Sequence, residues 1–166
     1  PLKVLSCVNC GFKQLNYIVD PKILYQKDYP YESSLTKVGQ KHFQEFADSV
    51  TDNFKLKTKD LVIDIGSNVG VVLSAFKSNG LRVLGVDPAQ NICKIARKNG
   101  FETICSFYNK KTVKKIIKKY GHAKVVTGTN VFAHIDNLRE LIKNVFLVLD
   151  KKKGIAIFEM PHFLNL

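Results

Sequence analysis

The sequence predicts an α/β protein with a Rossmann-like parallel sheet, preceded by a short cysteine-bearing segment. Three observations carry this. The stretch Leu61-Val62-Ile63-Asp64-Ile65-Gly66-Ser67-Asn68-Val69-Gly70 joins an apolar strand to a glycine-bearing turn at the start of a helix. A second apolar strand ends in Asp87, 21 residues after Gly66, close to the ~20 at which such folds place a carboxylate on ribose hydroxyls. From Leu61 onward strand-like and helix-like segments alternate, as parallel strands joined by right-handed crossovers require.

The elements follow in order. Residues 1–20 read as a knuckle, Cys7-Val8-Asn9-Cys10-Gly11, with flanking strands. Asp20-Pro21 opens a short helix to about Gln26, because Asp caps a helix and Pro suits its first position. Asp28-Tyr29-Pro30-Tyr31-Glu32-Ser33-Ser34 is an aromatic loop, and a helix over 36–51 presents Val38, Phe43, Phe46 and Val50 as its apolar face. Lys57-Thr58-Lys59-Asp60 turns into strand 61–65. Helix 69–78, strand 82–86, helix 89–98, a short strand near 101–105, helix 111–119, strand 124–128, helix 137–148 and strand 154–159 complete a five-stranded unit. Asn79-Gly80, Asn99-Gly100 and Gly121 punctuate it.

At 166 residues and 45% apolar content the chain suits one domain with a real core. No apolar run reaches the ~18 residues of a membrane span, and Pro1-Leu2-Lys3 opens no signal peptide; a cytoplasmic protein without membrane partners is the simple reading. The net charge of +12 invites nucleic acid as a partner. Against it, only Arg82, Arg97 and Arg139 among the 26 basic residues are arginine, and the bidentate guanidinium fork dominates base and phosphate recognition. The densest run, 109–120, carries Val113, Ile116, Ile117 and Tyr120 at helical spacing, an amphipathic surface helix with a solvated lysine face.

Cys93 and Cys105 lie alone in apolar stretches and read as small buried residues. Cys7 and Cys10 differ: two thiolates on one turn, relieved by Gly11, have the shape of a zinc knuckle. A closed structural zinc site needs four ligands, and no other C-x-x-C or H-x-x-x-H occurs. Either the other half lies upstream of Pro1 or the pair is metal-free. A redox C-x-x-C should open a helix, whereas Phe12-Lys13-Gln14-Leu15 reads as a strand.

The nucleoside expected at the 61–87 unit is not a dinucleotide. That fingerprint is G-x-G-x-x-G; here the order is Asp64-x-Gly66-x-Asn68-x-Gly70, and Asp64 would repel a pyrophosphate but suit a cation. The pattern resembles motif I of class I S-adenosylmethionine (SAM) methyltransferases, with Asn68 for the middle Gly; Asn tolerates positive φ. The resemblance extends in order through Cys7-x-x-Cys10-Gly11, Tyr29-Pro30-Tyr31-x-Ser33-Ser34, motif I, Gly85-Val86-Asp87-Pro88-Ala89, Thr129-Asn130-Val131-Phe132-Ala133-His134-Ile135 and Phe158-Glu159-Met160-Pro161. Together these blocks resemble the sugar C-methyltransferases, which act on nucleotide-linked deoxysugars and join a zinc-binding N-terminal domain to a class I methyltransferase core.

The resemblance implies residues 1–27 as the end of a zinc-binding domain, 28–54 as aromatic loop and linking helix, and 55–166 as a SAM-binding core cut before its last strands. Both termini look cut, so a fragment missing an N-terminal piece and a C-terminal domain is expected. The turn Gly66, Ser67, Asn68 and Gly70 would wrap the methionine and sugar of SAM; Asp87 would take the ribose diol; Ser106 and Phe107 would meet adenine; Asp64, Pro88 and Asn130 would complete the cofactor site. Zinc would be held in part by Cys7 and Cys10, and the substrate would be a nucleotide sugar.

Methylating carbon beside a keto group requires a base for the C–H proton and a donor for the enolate oxygen. His134, just after the fourth core strand, suits base, orienter or oxyanion donor. Tyr29 or Tyr31 would donate to substrate or close over the cofactor. Some family features are missing: a later His-Glu-His stretch with a preceding Tyr, the acidic residue where Val69 stands, and the first zinc cysteine pair. A methyltransferase acting on RNA or another small molecule, and a non-catalytic scaffold, are the alternatives.

Overall fold

The computed structural model describes residues 1–26, 29–33 and 36–161. The expected boundary at 27–28, Asp28 and Ser34 of the aromatic loop, and residues 162–166 fall outside them. A hairpin of β1 (Val4–Ser6) and β2 (Lys13–Leu15) comes first, then α1 (Pro21–Tyr25) and α2 (Lys37–Asn53). The core runs β3 (Leu61–Ile65), α3 (Val71–Ser78), β4 (Arg82–Asp87), α4 (Gln90–Lys98), β5 (Thr103–Cys105), α5 (Lys110–Tyr120), β6 (Val125–Thr129), a single 3-10 turn at Phe132–His134, α6 (Leu138–Val148) and β7 (Ile155–Glu159). The five core strands are all parallel in the order β5-β4-β3-β6-β7. The strand order reverses between β3 and β6, so their carboxyl ends frame the crevice where doubly wound sheets bind ligands.

Strand alternation explains the two layers. Leu61, Ile63 and Ile65 point to one face, against Val113 and Ile116 of α5 and Leu141, Val145 and Val148 of α6. Val62 points to the other, against Ala47 and Val50 of α2 and Val72, Ala75 and Phe76 of α3. Both faces of β3 are therefore buried, with Asp64 its one polar side chain, the pattern of a strand covered on two sides. Among the described residues no helix is long and apolar enough to cross a membrane.

Element types match the sequence pattern, and particular residues depart from it. Val38, expected on the apolar face of α2, is 81% exposed; it sits in the first turn, and the buried stripe begins further along with Phe43, Phe46, Ala47 and Val50. Phe101 lies ahead of β5 because its ring packs under the Cα of Gly70. Cys93 is buried as expected, but it is not alone. Its thiol donates to Asp87 O (3.2 Å) and meets the half-buried Cys105, which with burial drives its ionisation far upward.

Gly70 shows how tightly the turn fits. Its φ is +98°, and a Cβ there would stand 2.4 Å from Phe101 Cδ2. Gly70→Ala combines left-handed strain with an overpacked ring, and should destabilise the fold by about 2–4 kcal/mol. Chemical denaturation of the two proteins measures this directly.

Candidate functional site

A cavity of about 350 Å³ opens at the carboxyl ends of β3, β4 and β6. Its floor is the turn after β3. Gly66 (φ +67°), Asn68 (φ +48°) and Gly70 all adopt left-handed backbone; their amides are spent inside the protein, on Val86 O, the Asp87 carboxylate and Ser67 O, and the absence of a Cβ at Gly66 lets a ligand approach the chain.

Asn68 fixes this turn and the loop above it. Its side-chain amide donates to Tyr31 O (2.9 Å), while its Oδ1 accepts from Ser33 N (3.1 Å) and Val69 N (2.8 Å). Asn91 on α4 grips the same loop one step earlier: its Nδ2 donates to Tyr29 O (2.9 Å) and its Oδ1 accepts from Tyr29 N (3.2 Å). Two asparagines from separate crossovers thus seat residues 29–33 against the core, with the Tyr29 ring packed near Val69, Ala89 and Ile92.

Asp87 ends β4 at the cavity edge. It is 6% exposed, and its oxygens accept from Asn68 N (3.0 Å) and Ala89 N (2.9 Å). Burial raises its pKa, and those two amides oppose the rise. Each carboxylate oxygen keeps acceptor capacity beyond these bonds, which suits a vicinal diol. Pro88, Ser106, Phe107 and Asn130 also line the cavity. Ser106 hydroxyl lies 3.0 Å from Thr112 Oγ1, and Asn130 (φ +58°) donates its amide to Glu159 O (2.8 Å).

Three residues expected at the cofactor lie beneath the cavity. Gly70 caps α3. Ser67 is 3% exposed, its hydroxyl has no partner among the described residues, and it fills the space over Gly85 that a Cβ would occupy. Asp64 sits inside the sheet, accepting from Thr127 Oγ1 (2.8 Å). Burial pushes its pKa up to about 7, opposed by the Thr127 hydroxyl and reinforced by Asp87. Asp64 therefore acts from below the turn.

Tyr29, Tyr31 and His134 all face the cavity. Tyr29 is half-buried, and burial raises its phenol pKa, with Tyr25 and Asp87 adding to the rise. Tyr31 is 60% exposed. Tyr25 and Asn91 are the residues that sequence reasoning missed. Their roles come from contacts across the fold, although the Asp-Pro opening of α1 already put Tyr25 at its end.

Cys7 and Cys10 stand on the exposed turn of the hairpin, closed by Cys7 N to Phe12 O (2.9 Å) and Gly11 N to Cys7 O (2.9 Å). Backbone amides of Asn9 and Cys10, then the Cys10 thiol, lower the Cys7 pKa. Among the described residues no group of three or more His, Cys, Asp or Glu is placed to hold a metal.

A five-stranded parallel sheet of this order, with the glycine-bearing turn and the second-strand carboxylate, defines the class I SAM-dependent methyltransferase fold. Two solved structures share it: the plantazolicin methyltransferase BpumL in complex with a pentazolic analog and SAH (TM-score 0.61, 17% identity, covering 76% of this chain and 49% of that one) and a SAM-dependent methyltransferase from Archaeoglobus fulgidus (TM-score 0.57, 20% identity, 76% and 58%). Residues 39–164 match the methyltransferase-domain family, and the chain belongs to it. Over all 166 residues it is 32% identical to the C-methyltransferase NovU of Streptomyces niveus, and it spans 39% of that protein's length.

Asp64 gives a signed pH effect. Its folded pKa lies above the unfolded value of about 4, so the folded state holds a proton that the unfolded state releases. Its contribution to stability is full below pH ~4 and is lost as pH rises to about 7, on the order of a few kcal/mol. Asp64→Asn should flatten the stability profile across that window, as measured by denaturation from pH 4 to 8. Asn68→Gly keeps the turn conformation but loses both loop bonds; it should destabilise the protein by about 1–3 kcal/mol and speed hydrogen exchange at the Ser33 amide.

Proposed function

We propose that this chain is the cofactor-binding core of a SAM-dependent C-methyltransferase whose acceptor is a nucleotide-linked keto-deoxysugar. The observation that carries the reading is the single cavity that gathers the left-handed turn, Asp87 and His134. The residues present fit SAM. Gly66 and Asn68 offer backbone at the floor, Asp87 offers acceptors to the ribose diol, and Ser106 and Phe107 flank the far end, where adenine would lie. Two buried carboxylates, Asp64 and Asp87, favour a cationic ligand over a phosphate.

SAM, when bound, would supply the electrophilic methyl group, its S–CH3 bond breaking to leave S-adenosylhomocysteine. The rest falls to this chain. His134 takes the proton from the carbon beside the substrate keto group, leaving an enolate whose carbon forms the new bond. A neutral imidazole can do this near pH 7. Tyr29 or Tyr31 donates a hydrogen bond to the enolate oxygen. The 32% identity to a C-methyltransferase supports carbon as the methylated atom. Cys7 and Cys10 are two of the four ligands that a structural zinc needs, and no catalytic step depends on them.

Calorimetric titration of S-adenosylhomocysteine tests the cofactor site. The expected result is binding that Asp87→Ala weakens at least about tenfold, with NAD silent under the same conditions. A folded protein that ignores S-adenosylhomocysteine overturns the reading.

A further inference from the structure

Of the three histidines among the described residues, two have their rings fixed by a polar partner. His42 Nε2 lies 2.7 Å from Glu159 Oε2, and His122 Nδ1 lies 3.2 Å from Val148 O. His134 is the exception. It is exposed on a single 3-10 turn, its backbone amide is bonded to Val131 O (3.0 Å), and neither ring nitrogen has a hydrogen-bond partner among the described residues. Its ring contact is aromatic: Tyr25 meets it edge-on, with centroids 6.1 Å apart and planes at 61°. Tyr25 in turn packs on Tyr29, at 5.7 Å and 57°. All three rings line the cavity.

A base must present one nitrogen to the proton it removes, and a carboxylate or carbonyl on the other nitrogen usually sets that orientation. Here nothing polar does so among the described residues. We propose that Tyr25 is a positioning residue for His134, its ring holding the imidazole turned toward the cavity in place of a polar orienter. The proposal rests on His134 serving as the base. It also ties the base to the loop above the turn: Asn91 pins Tyr29, Tyr29 braces Tyr25, and Tyr25 braces His134. Edge-to-face pairs prefer one relative orientation, so the stack restricts ring rotation without consuming either imidazole nitrogen.

The test compares Tyr25→Phe and Tyr25→Leu with the unaltered chain, using readouts that need no turnover. The imidazole CH signals of His134, assigned by their loss in His134→Asn, report its ring environment. The rate of carbethoxylation of His134 by diethylpyrocarbonate, followed by peptide mass, reports its freedom and access. Calorimetry with S-adenosylhomocysteine runs in parallel. Tyr25→Phe should keep the His134 signals and hold the rate within about twofold, because the ring is retained. Tyr25→Leu should move the signals and raise the rate roughly two- to tenfold, with His42 and His122 signals unchanged. Should leucine unfold the chain, as those two reporters would show, Tyr25→Ala and Tyr25→Met take its place. Unchanged His134 signals and rate in the folded leucine, alanine or methionine protein overturn the proposal. Tyr25→Phe behaving like Tyr25→Leu overturns it too, since the hydroxyl would then be the orienter. Failure of the unaltered chain to bind S-adenosylhomocysteine overturns the cofactor reading and leaves the His134 signals to judge Tyr25 separately.

Discussion

One asparagine side chain holds the cofactor crevice in shape. Asn68 stands in left-handed backbone and spends its amide on Tyr31 O and its oxygen on Ser33 N and Val69 N. A glycine at this position would adopt the same φ and make none of these bonds. The departure from the all-glycine motif is therefore an exchange of function: the turn keeps its conformation and gains a clamp on residues 31–33. Asp87 extends the same network from below by accepting from the Asn68 backbone N–H. Turn, loop and the Asp87 carboxylate are thus one hydrogen-bonded unit, and at the buried turn the loss of a partner would leave an unsatisfied group.

The electrostatics of the unit run against those of the whole molecule. The chain carries +12, yet the groups nearest the turn are two carboxylates largely withdrawn from water. The positive charge sits elsewhere, most densely on Lys110, Lys111, Lys114, Lys115 and Lys118 along α5. Withdrawal of Asp64 and Asp87 makes their charged forms costly, which is why both pKa values rise. A cation arriving at the turn would offset that cost and a phosphate would add to it. The same burial that weakens these acids favours a cation over an anion at the turn.

The sequence made the sheet legible because every core strand is a short apolar run bounded by glycine or asparagine turns. It made the turn legible because Gly66, Asn68 and Gly70 stand at fixed spacing beside a strand-end acid. Direction was harder to read. Ser67 lies between two turn residues and still points into the sheet, because Gly85 on β4 leaves a hole that its hydroxyl fills. Val38 obeys helical spacing and still faces water, since nothing packs over the first turn of α2. Asn91 escapes a sequence reading because its partner lies 62 residues away, and Tyr25 because the His134 ring it meets stands on a turn far along the chain. Such contacts belong to the assembled fold, and no local pattern encodes them.

The aromatic loop has a clearer purpose once its anchors are known. A lid held only by packing would leave the cavity geometry to chance at the level of an ångström, which is enough to spoil a reacting arrangement. Here the loop is pinned by its backbone, at Tyr29 by Asn91 and at Tyr31 and Ser33 by Asn68, so the rings that project from it inherit fixed origins. His134, proposed above as the base, needs such a reference, since its turn is a single 3-10 segment with little rigidity of its own. The two asparagines act at opposite ends of one short strap, and through Tyr29 and Tyr25 the strap reaches the imidazole. On the proposal that Tyr25 positions His134, the order of the loop and the aim of the imidazole rise or fall together. A chain in which the loop is unseated would keep its sheet, its turn and its acids, and would lose the wall of the cavity that Tyr29 and Tyr31 supply.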